Sequence, residues 1–289
     1  MAVRIHRLSV GCRDVSALRK KRLFLLDLDG TVYTGGRLFA CTAPFLKAAR
    51  RRGAKTVFLT NNSSKSALEY QTKLAGMGIA CDKHSVVTST MVTAEYIKKN
   101  HPDVLFYSLG TAAFSDELAK LGVSLTTGTD VGAAAEGLVM GYDTELTYDK
   151  LVCASRLLCS GDIPYIAANP DFCCPSEFGA VPDCGSFAGM LKAATGKTPL
   201  FMGKPEPEIF KTAMELCGCT SEETLMIGDR MYTDIRGAKN AGIEAALVLS
   251  GETRGDDIFR YDYSPDYIFD DLGGLTEILI GNLKESFEE

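Results

Sequence analysis

Histidine is scarce in this chain. Its 289 residues hold only three, His6, His84 and His101, none near another, so a histidine-based metal site is not expected. No uninterrupted apolar stretch approaches the roughly 18 residues that mark a membrane span, which leaves no expected role for a membrane. Excess positive charge is also missing. Lys and Arg number 31 against 37 Asp and Glu, a net charge of −6, which argues against a nucleic-acid or anionic-membrane partner. There is no internal repeat and no low-complexity segment. The basic N-terminus, MAVRIHRLSVGCRDVSALRKKR, lacks a continuous apolar segment ahead of a small-residue cleavage site. It reads as a short lead-in to the first strand rather than a secretion signal. The acidic end, SFEE, reads as a frayed terminus.

Cysteine is not missing, since there are ten, but the spacing that would give them a joint purpose is. Cys153, Cys159 and Cys217 fall in helix-like segments, Cys41, Cys81 and Cys184 stand singly, and Cys173-Cys174 and Cys217-Gly-Cys219 lack the paired spacing of a zinc site. The expectation is reduced, mostly buried thiols in a cytoplasmic protein.

At 46% apolar and 24% charged residues, the composition is that of a soluble globular protein, and the length suits about two domains. Short apolar runs alternate with amphipathic stretches of helix length. The strand candidates are Leu23–Asp27, Thr56–Thr60, Val104–Leu109, Gly137–Tyr142, Tyr165–Ala168, Leu225–Gly228, Ala245–Leu249 and Tyr267–Phe269. Many are continuously apolar, as strands covered on both faces are. Between them lie helix patterns such as Ala43–Arg52, closed by Gly53, and Glu208–Leu216, closed near Gly218. This alternation predicts an α/β fold with doubly wound parallel sheets.

Ligands of such sheets gather beyond the carboxyl ends of the strands. After the first run stands Asp27-Leu-Asp29-Gly30-Thr31, after the second Thr60-Asn61-Asn62-Ser63-Ser64, and after TLMIG stands Asp229-Arg-Met-Tyr-Thr-Asp234; Gly203-Lys204-Pro205 precedes a helix. Aspartate and glycine are common turn formers, so Asp-x-Asp-Gly alone is weak. At the end of a buried strand, though, two carboxylates a few ångströms apart repel by on the order of several kcal/mol at an effective dielectric near 20. A hard divalent cation such as Mg²⁺ relieves that, and Asp229 and Asp234 add acidic oxygens. Gly30 falls at the wrong position for an EF-hand loop. Carboxylates around Mg²⁺, a lysine and a donor-rich turn suit a phosphoryl group, and a carboxylate can itself be the nucleophile.

These four elements, in this order, resemble the haloacid dehalogenase superfamily of phosphohydrolases. The resemblance implies that Asp27 attacks phosphorus and that Asp29 protonates the leaving oxygen, then activates the hydrolytic water. It further implies that Thr60 binds the phosphoryl group with help from Asn61 and Asn62, and that Lys204 screens its charge. Mg²⁺ would be held by Asp27, the Asp29 carbonyl and Asp229, with Asp234 in or near the layer of groups just behind these ligands. The presence of Asp29 argues against carbon–halogen chemistry.

Thr60 and Lys204 are 144 positions apart, too far for one helix and a return strand, so a second domain is inserted between them. The expected organisation is a catalytic core of residues 1–95 and 185–289 with an α/β cap at 96–184. The large cap, together with GYDTELTYDKL, AANPDFCCPSEFGAVPDCGS and MIGDRMYTDIRGAKNAGI, resembles the NagD-like and p-nitrophenylphosphatase-like branch. Caps of that branch close over the core and choose the leaving group. Here Asn169, Asp171 and Cys174 are the candidate substrate contacts. Cys174 stands where pyridoxal-phosphate phosphatases of the branch carry a histidine, which counts against that substrate. Homodimerisation through the cap is also implied.

Two motifs mislead. AATGKT (193–198) ends like a phosphate-binding loop, but Leu191 occupies the place of its first glycine. RRRG (50–53) is explained by a helix C-terminus, which favours cations. The leading expectation is a Mg²⁺-dependent phosphatase of a small phosphomonoester: a sugar phosphate, a nucleoside monophosphate, or a glycerol- or glycolate-type phosphate. A phosphotransferase or phosphomutase on the same chemistry is the alternative, and a non-catalytic metabolite sensor the third, against which the nucleophile–acid pair argues.

Overall fold

The computed structural model describes residues 14–128, 134–176 and 178–281. The expected N-terminal lead-in falls largely, and the acidic tail wholly, outside the described residues. A 3₁₀ turn (Val15–Lys20) leads into β1 (Leu23–Asp27), a hairpin of β2 (Tyr33–Thr34) and β3 (Arg37–Leu38), α1 (Thr42–Arg51), β4 (Lys55–Thr60), α2 (Ala67–Gly76), β5 (Val86–Thr88) and α3 (Ser89–Asn100). Then come β6 (Phe106–Leu109), α4 (Ala112–Lys120), β7 (Leu125–Thr126), β8 (Gly137–Met140), α5 (Tyr148–Ser160), β9 (Tyr165–Ala167), β10 (Cys173–Ser176), β11 (Gly179–Pro182) and α6 (Cys184–Thr195). The remainder is β12 (Leu200–Phe201), α7 (Glu208–Cys217), β13 (Thr224–Gly228), a wide π-type turn (Met231–Ile235), α8 (Arg236–Asn240), β14 (Glu244–Val248), a 3₁₀ turn (Gly255–Arg260), β15 (Tyr267–Phe269) and α9 (Leu272–Ile280).

The chain divides into two compact units. One takes the residues up to Leu59, then Leu74–Val86 and those from Phe210 onward; the other takes Thr60–Lys73 and Val87–Ile209. The first is built on a six-stranded sheet ordered β15-β14-β13-β1-β4-β5, parallel from β15 through β4. From β1 the chain winds outward to β4 and β5; on its other side it winds outward from β13 to β14 and β15. The order therefore reverses between β1 and β13, where open α/β sheets bind their ligands. Leu23, Phe24, Leu25 and Leu26 are all fully buried, since helices cover both faces of a parallel sheet. On one face Phe45 of α1 meets Phe24 edge to face, centroids 5.4 Å apart, a pairing that contributes about 1 kcal/mol beyond area burial.

The second unit has its own sheet, ordered β12-β9-β8-β6-β7 and parallel throughout. Its side chains alternate between two clusters, as the pleat requires. Tyr107, Leu109, Leu138, Met140, Tyr165 and Ala167 face α5 and α6, whereas Phe106, Val139 and Ile166 face α3 and α4. Both sheets bear out the α/β reading with parallel strands. In these two sheets the strands that the sequence does not announce, β5, β7 and β12, run two or three residues, too short for a periodicity.

The misleading motifs resolve as helix ends. AATGKT closes α6, with Gly196 left-handed (φ 75°) and its N–H donated to Lys192 O. Arg50 and Arg51 lie in the last turn of α1, and Arg52 donates to the carbonyls of Leu279 and Arg19. The cysteines correct an expectation. None of the nine described is in a disulfide, but only Cys153, Cys184 and Cys217 are buried, and Cys159 and Cys173 are exposed. Cys159 sits near the solvent end of α5, and Cys173 lies on the hairpin β10–β11, whose outer residues face water.

Candidate active site

β1 and β13 are neighbouring parallel strands, and each ends in a carboxylate. Asp27 closes β1, and Asp229 follows Gly228 at the end of β13. The π-type turn then carries Asp234 back toward them. One carboxylate oxygen from each of Asp27, Asp229 and Asp234 lies within 4.8 Å of the others, with Asp229 and Asp234 almost wholly buried. Wide turns of this kind recur at functional sites because they redirect a side chain within a helix.

The backbone is shaped around these carboxylates. Leu28 O accepts from Val32 N (2.9 Å) and Tyr33 N (3.2 Å), and Gly30 N donates to Tyr33 O (2.8 Å). Gly30 takes φ 91°, a conformation that favours glycine. A Cβ on Gly30 or Gly251 would collide with the Asp229 carboxylate, and one on Gly228 with that of Asp234. Three glycines thus make the room in which two aspartates stand. Asp229 Oδ2 accepts from Glu252 N (2.7 Å), Thr31 Oγ1 lies 3.4 Å from Asp229 Oδ1, and Asp234 Oδ2 accepts from Arg230 N (3.1 Å).

These donors do not balance the charge. Burial, and after it the charges of Asp27 and Asp234, push the Asp229 carboxyl up to about 8 from an ordinary value of 3.8. Arg230 is the nearby cation. Burial alone would lower its pKa, but Asp27, Tyr232, Glu252 and Asp229 raise it overall. Its Nε lies 2.8 Å from Glu252 Oε2, too oblique for a hydrogen bond, so this is an ion pair. Three acids that offer only oxygen, Asp229 and Asp234 buried and Asp27 half-buried, with Asp229 held above its ordinary pKa, form the donor set of a hard cation. These residues fit Mg²⁺.

The Asp29 carboxylate stands apart from the trio. The residue is exposed, and its backbone bridges to Tyr33. In the second unit, Thr60, Asn61 and Lys204 are buried. The Thr60–Ser64 turn is closed by its own side chains: Asn62 N donates to Thr60 Oγ1 (3.2 Å), and Asn62 Oδ1 accepts from Ser64 N (3.0 Å) and Ser64 Oγ (2.7 Å). Asn61 bonds the Lys204 backbone and the Asp171 carboxylate, and Asn169 bonds Asp171 and Asp183. Cys174 lies on β10 opposite Val181, half-buried. Burial first, then Cys174, raises the Tyr142 phenol.

Arg230, Glu252, Gly251 and Asp183 escaped the reading of the sequence. Arg230 could have been found, since it follows Asp229 directly. Gly251 and Glu252 could not, because they reach Asp229 from a loop after β14 that carries no motif.

Residues 24–124 match the family model of haloacid dehalogenase-like hydrolases and residues 201–275 a second HAD-hydrolase-like model. The chain is 32% identical over 255 residues to an acid sugar phosphatase of Staphylococcus epidermidis, covering 88% of this chain and 96% of that one. Among solved structures, a 4-nitrophenylphosphatase from Thermotoga maritima superposes with a TM-score of 0.85 at 38% identity, covering 90% of this chain and 98% of the other. A glycerol phosphate phosphatase from Mycobacterium tuberculosis, in complex with magnesium, does so with a TM-score of 0.82 at 30% identity, covering 90% and 78%. Sheet order, glycine-framed aspartates and near full-length similarity converge: the chain belongs to the haloacid dehalogenase-like hydrolases, in the phosphatase branch that also holds NagD.

Proposed function

We propose that this enzyme is a Mg²⁺-dependent phosphatase that hydrolyses a small phosphomonoester through an aspartyl-phosphate on Asp27. The observation that carries the reading is the trio of half-buried Asp27 and buried Asp229 and Asp234, whose ligand atoms lie within 4.8 Å of one another. Asp27, Asp229, Asp234 and the Asp29 carbonyl would hold the Mg²⁺, which when bound neutralises charge on the phosphoryl oxygens.

Asp27 is the nucleophile. Its carboxylate oxygen forms a bond to phosphorus as the bond to the leaving oxygen breaks, and Asp29 gives that oxygen a proton. Asp29, now a carboxylate, takes a proton from water, whose oxygen attacks phosphorus and releases phosphate and the Asp27 carboxylate. The exposure of Asp29 suits a group that must reach both substrate and water. Thr60, with Asn62 in the same turn, orients phosphoryl oxygens, and buried Lys204 screens their charge. We assign the core to residues 1–95 and 185–289 and the cap to 96–184, with Cys174 among the cap groups that meet the leaving group. A cytoplasmic location fits the reduced thiols.

The substrate class follows the relatives, whose names give sugar and glycerol phosphates. A screen of phosphorylated metabolites with release of inorganic phosphate as the readout tests this: turnover should concentrate on small polyol and sugar monophosphates. Failure to release phosphate from any monoester in the presence of Mg²⁺ would falsify the assignment.

A further inference from the structure

One buried polar chain in the second unit is organised around the backbone of Lys204. The Asn61 side chain grips that residue at two points. Its Oδ1 accepts from Lys204 N (2.7 Å), and its Nδ2 donates to Lys204 O (2.8 Å). The second hydrogen of Nδ2 goes to Asp171 Oδ2 (2.7 Å). The same Oδ2 accepts from Asn169 Nδ2 (3.1 Å), which spends its other hydrogen on Asp183 Oδ1 (3.0 Å). Asp183 caps α6. On the other side, Asn169 Oδ1 accepts from Ser63 Oγ (3.2 Å), and Ser63 Oγ accepts from Tyr142 N (2.8 Å). Both amide groups are fully used, and every donor meets an acceptor.

Several features show that the space is built for these bonds. Asn61, Ser63, Asn169, Asp171 and Asp183 are all buried. A Cβ on Gly203 would strike Asn61 Oδ1, one on Gly141 would press on Ser63 Oγ, and one on Gly185 would strike the carbonyls of Pro170 and Asp171. Asp171 Oδ1 is buried with no hydrogen-bond partner among the described residues. A carboxylate that makes its bonds only to two amides orients those amides, and an oriented amide can face a backbone in only one way.

We infer that Asp171 is a positioning residue for phosphoryl transfer: through Asn61 it fixes the backbone of Lys204, and Asn169 and Asp183 hold it in place for that task. Asn61, Asn169 and Asp171 then act on Lys204, not on the substrate. The inference rests on the phosphatase reading, in which Lys204 screens the phosphoryl charge. A displacement near 1 Å of such a group costs up to about a hundredfold in rate.

The test is a double-mutant cycle on p-nitrophenyl phosphate with saturating Mg²⁺, with folding checked by circular dichroism. Asp171→Leu removes the acceptor and should lower kcat by about ten- to a hundredfold with KM within about threefold. Asp171→Asn keeps an oxygen for both amides and should recover kcat to within about fivefold of the native enzyme. In a Lys204→Ala background the effect of Asp171→Leu should shrink to less than about twofold, because no lysine remains to be positioned. An equal loss in both backgrounds overturns the proposal, as does a loss carried by KM alone, which would make Asp171 a substrate contact. An inactive native enzyme, or a Lys204→Ala enzyme as active as the native one, would defeat the parent reading at its own corner of the cycle and the proposal with it. Should Asp171→Leu fail to fold, Asn169→Ser at the next link carries the same cycle with the same two overturning results.

Discussion

The two units bury carboxylates in opposite ways. In the first, Asp27, Asp229 and Asp234 converge to within 4.8 Å, and Asp229 is driven up to about 8. In the second, Asp171 and Asp183 are also buried, yet the two amide hydrogens of Asn169 separate them. Burial still raises Asp183, but only to about 6. Interleaved amides hold two acids apart, whereas crowded like charges favour a proton or a bound cation between them. That contrast separates the amide-bonded acids of the second unit from the proposed metal site of the first without reference to any motif.

The sharpest way to break the contrast is to remove Asp27, the proposed attacking member of the crowded set. Asp27→Asn should abolish p-nitrophenyl phosphate hydrolysis, a loss on the order of 10⁴-fold or more, while the protein stays folded. Retained turnover would show that some other group attacks phosphorus. Chelation comes next. EDTA should bring turnover to background and Mg²⁺ should restore it. Mg²⁺ at about 100 times its Kd should also stabilise the fold by about 2.7 kcal/mol, visible as a raised Tm; an unchanged Tm on adding Mg²⁺ would argue that the trio holds no cation. A smaller effect is expected from Gly251→Ala, whose new Cβ would collide with the Asp229 carboxylate. Displacing one oxygen of the trio should weaken Mg²⁺ affinity by about a hundredfold, as read by activity titrated with the metal. A matching substitution at Gly189, which meets nothing within 4 Å, is the control.

Much of this was legible in the sequence, and the reasons are specific. The strands β1, β4, β8, β13 and β14 announced themselves as continuous apolar runs, and Asp27, Asp229 and Thr60 stand at the carboxyl ends of three of them. The resemblance to a known family supplied the roles. What was hidden lies in contacts between distant segments. Glu252 N reaches Asp229 across 23 positions and Asn61 reaches Lys204 across 143, and no local pattern encodes either. Asn169 and Asp171 illustrate the limit. In sequence they look like donors and acceptors awaiting a ligand; in the fold they are bonded to protein groups on either side.

A third buried carboxylate in the second unit sharpens the comparison, because there the supply of donors is thin. Glu117 of α4 places both oxygens 3.1 Å from one N–H, that of Ala67 at the start of α2. Burial is the largest influence on it and Glu69 adds to the rise; the Ala67 bond and Lys120 oppose them, and the net result is about 7 against an ordinary 4.5. Between those values the folded protein keeps a proton that the unfolded chain has released. Stability must therefore fall as pH rises through about 4.5 to 7, by on the order of 2–3 kcal/mol for this group. Glu117→Gln retains one acceptor oxygen for Ala67 N and has no proton to lose. Urea melts at a series of pH values from 5 to 8 should show the native protein losing more stability than the variant over that window. Parallel slopes would mean that the single N–H of Ala67 supplies Glu117 with donor enough to ionise in the fold as it does in the unfolded chain.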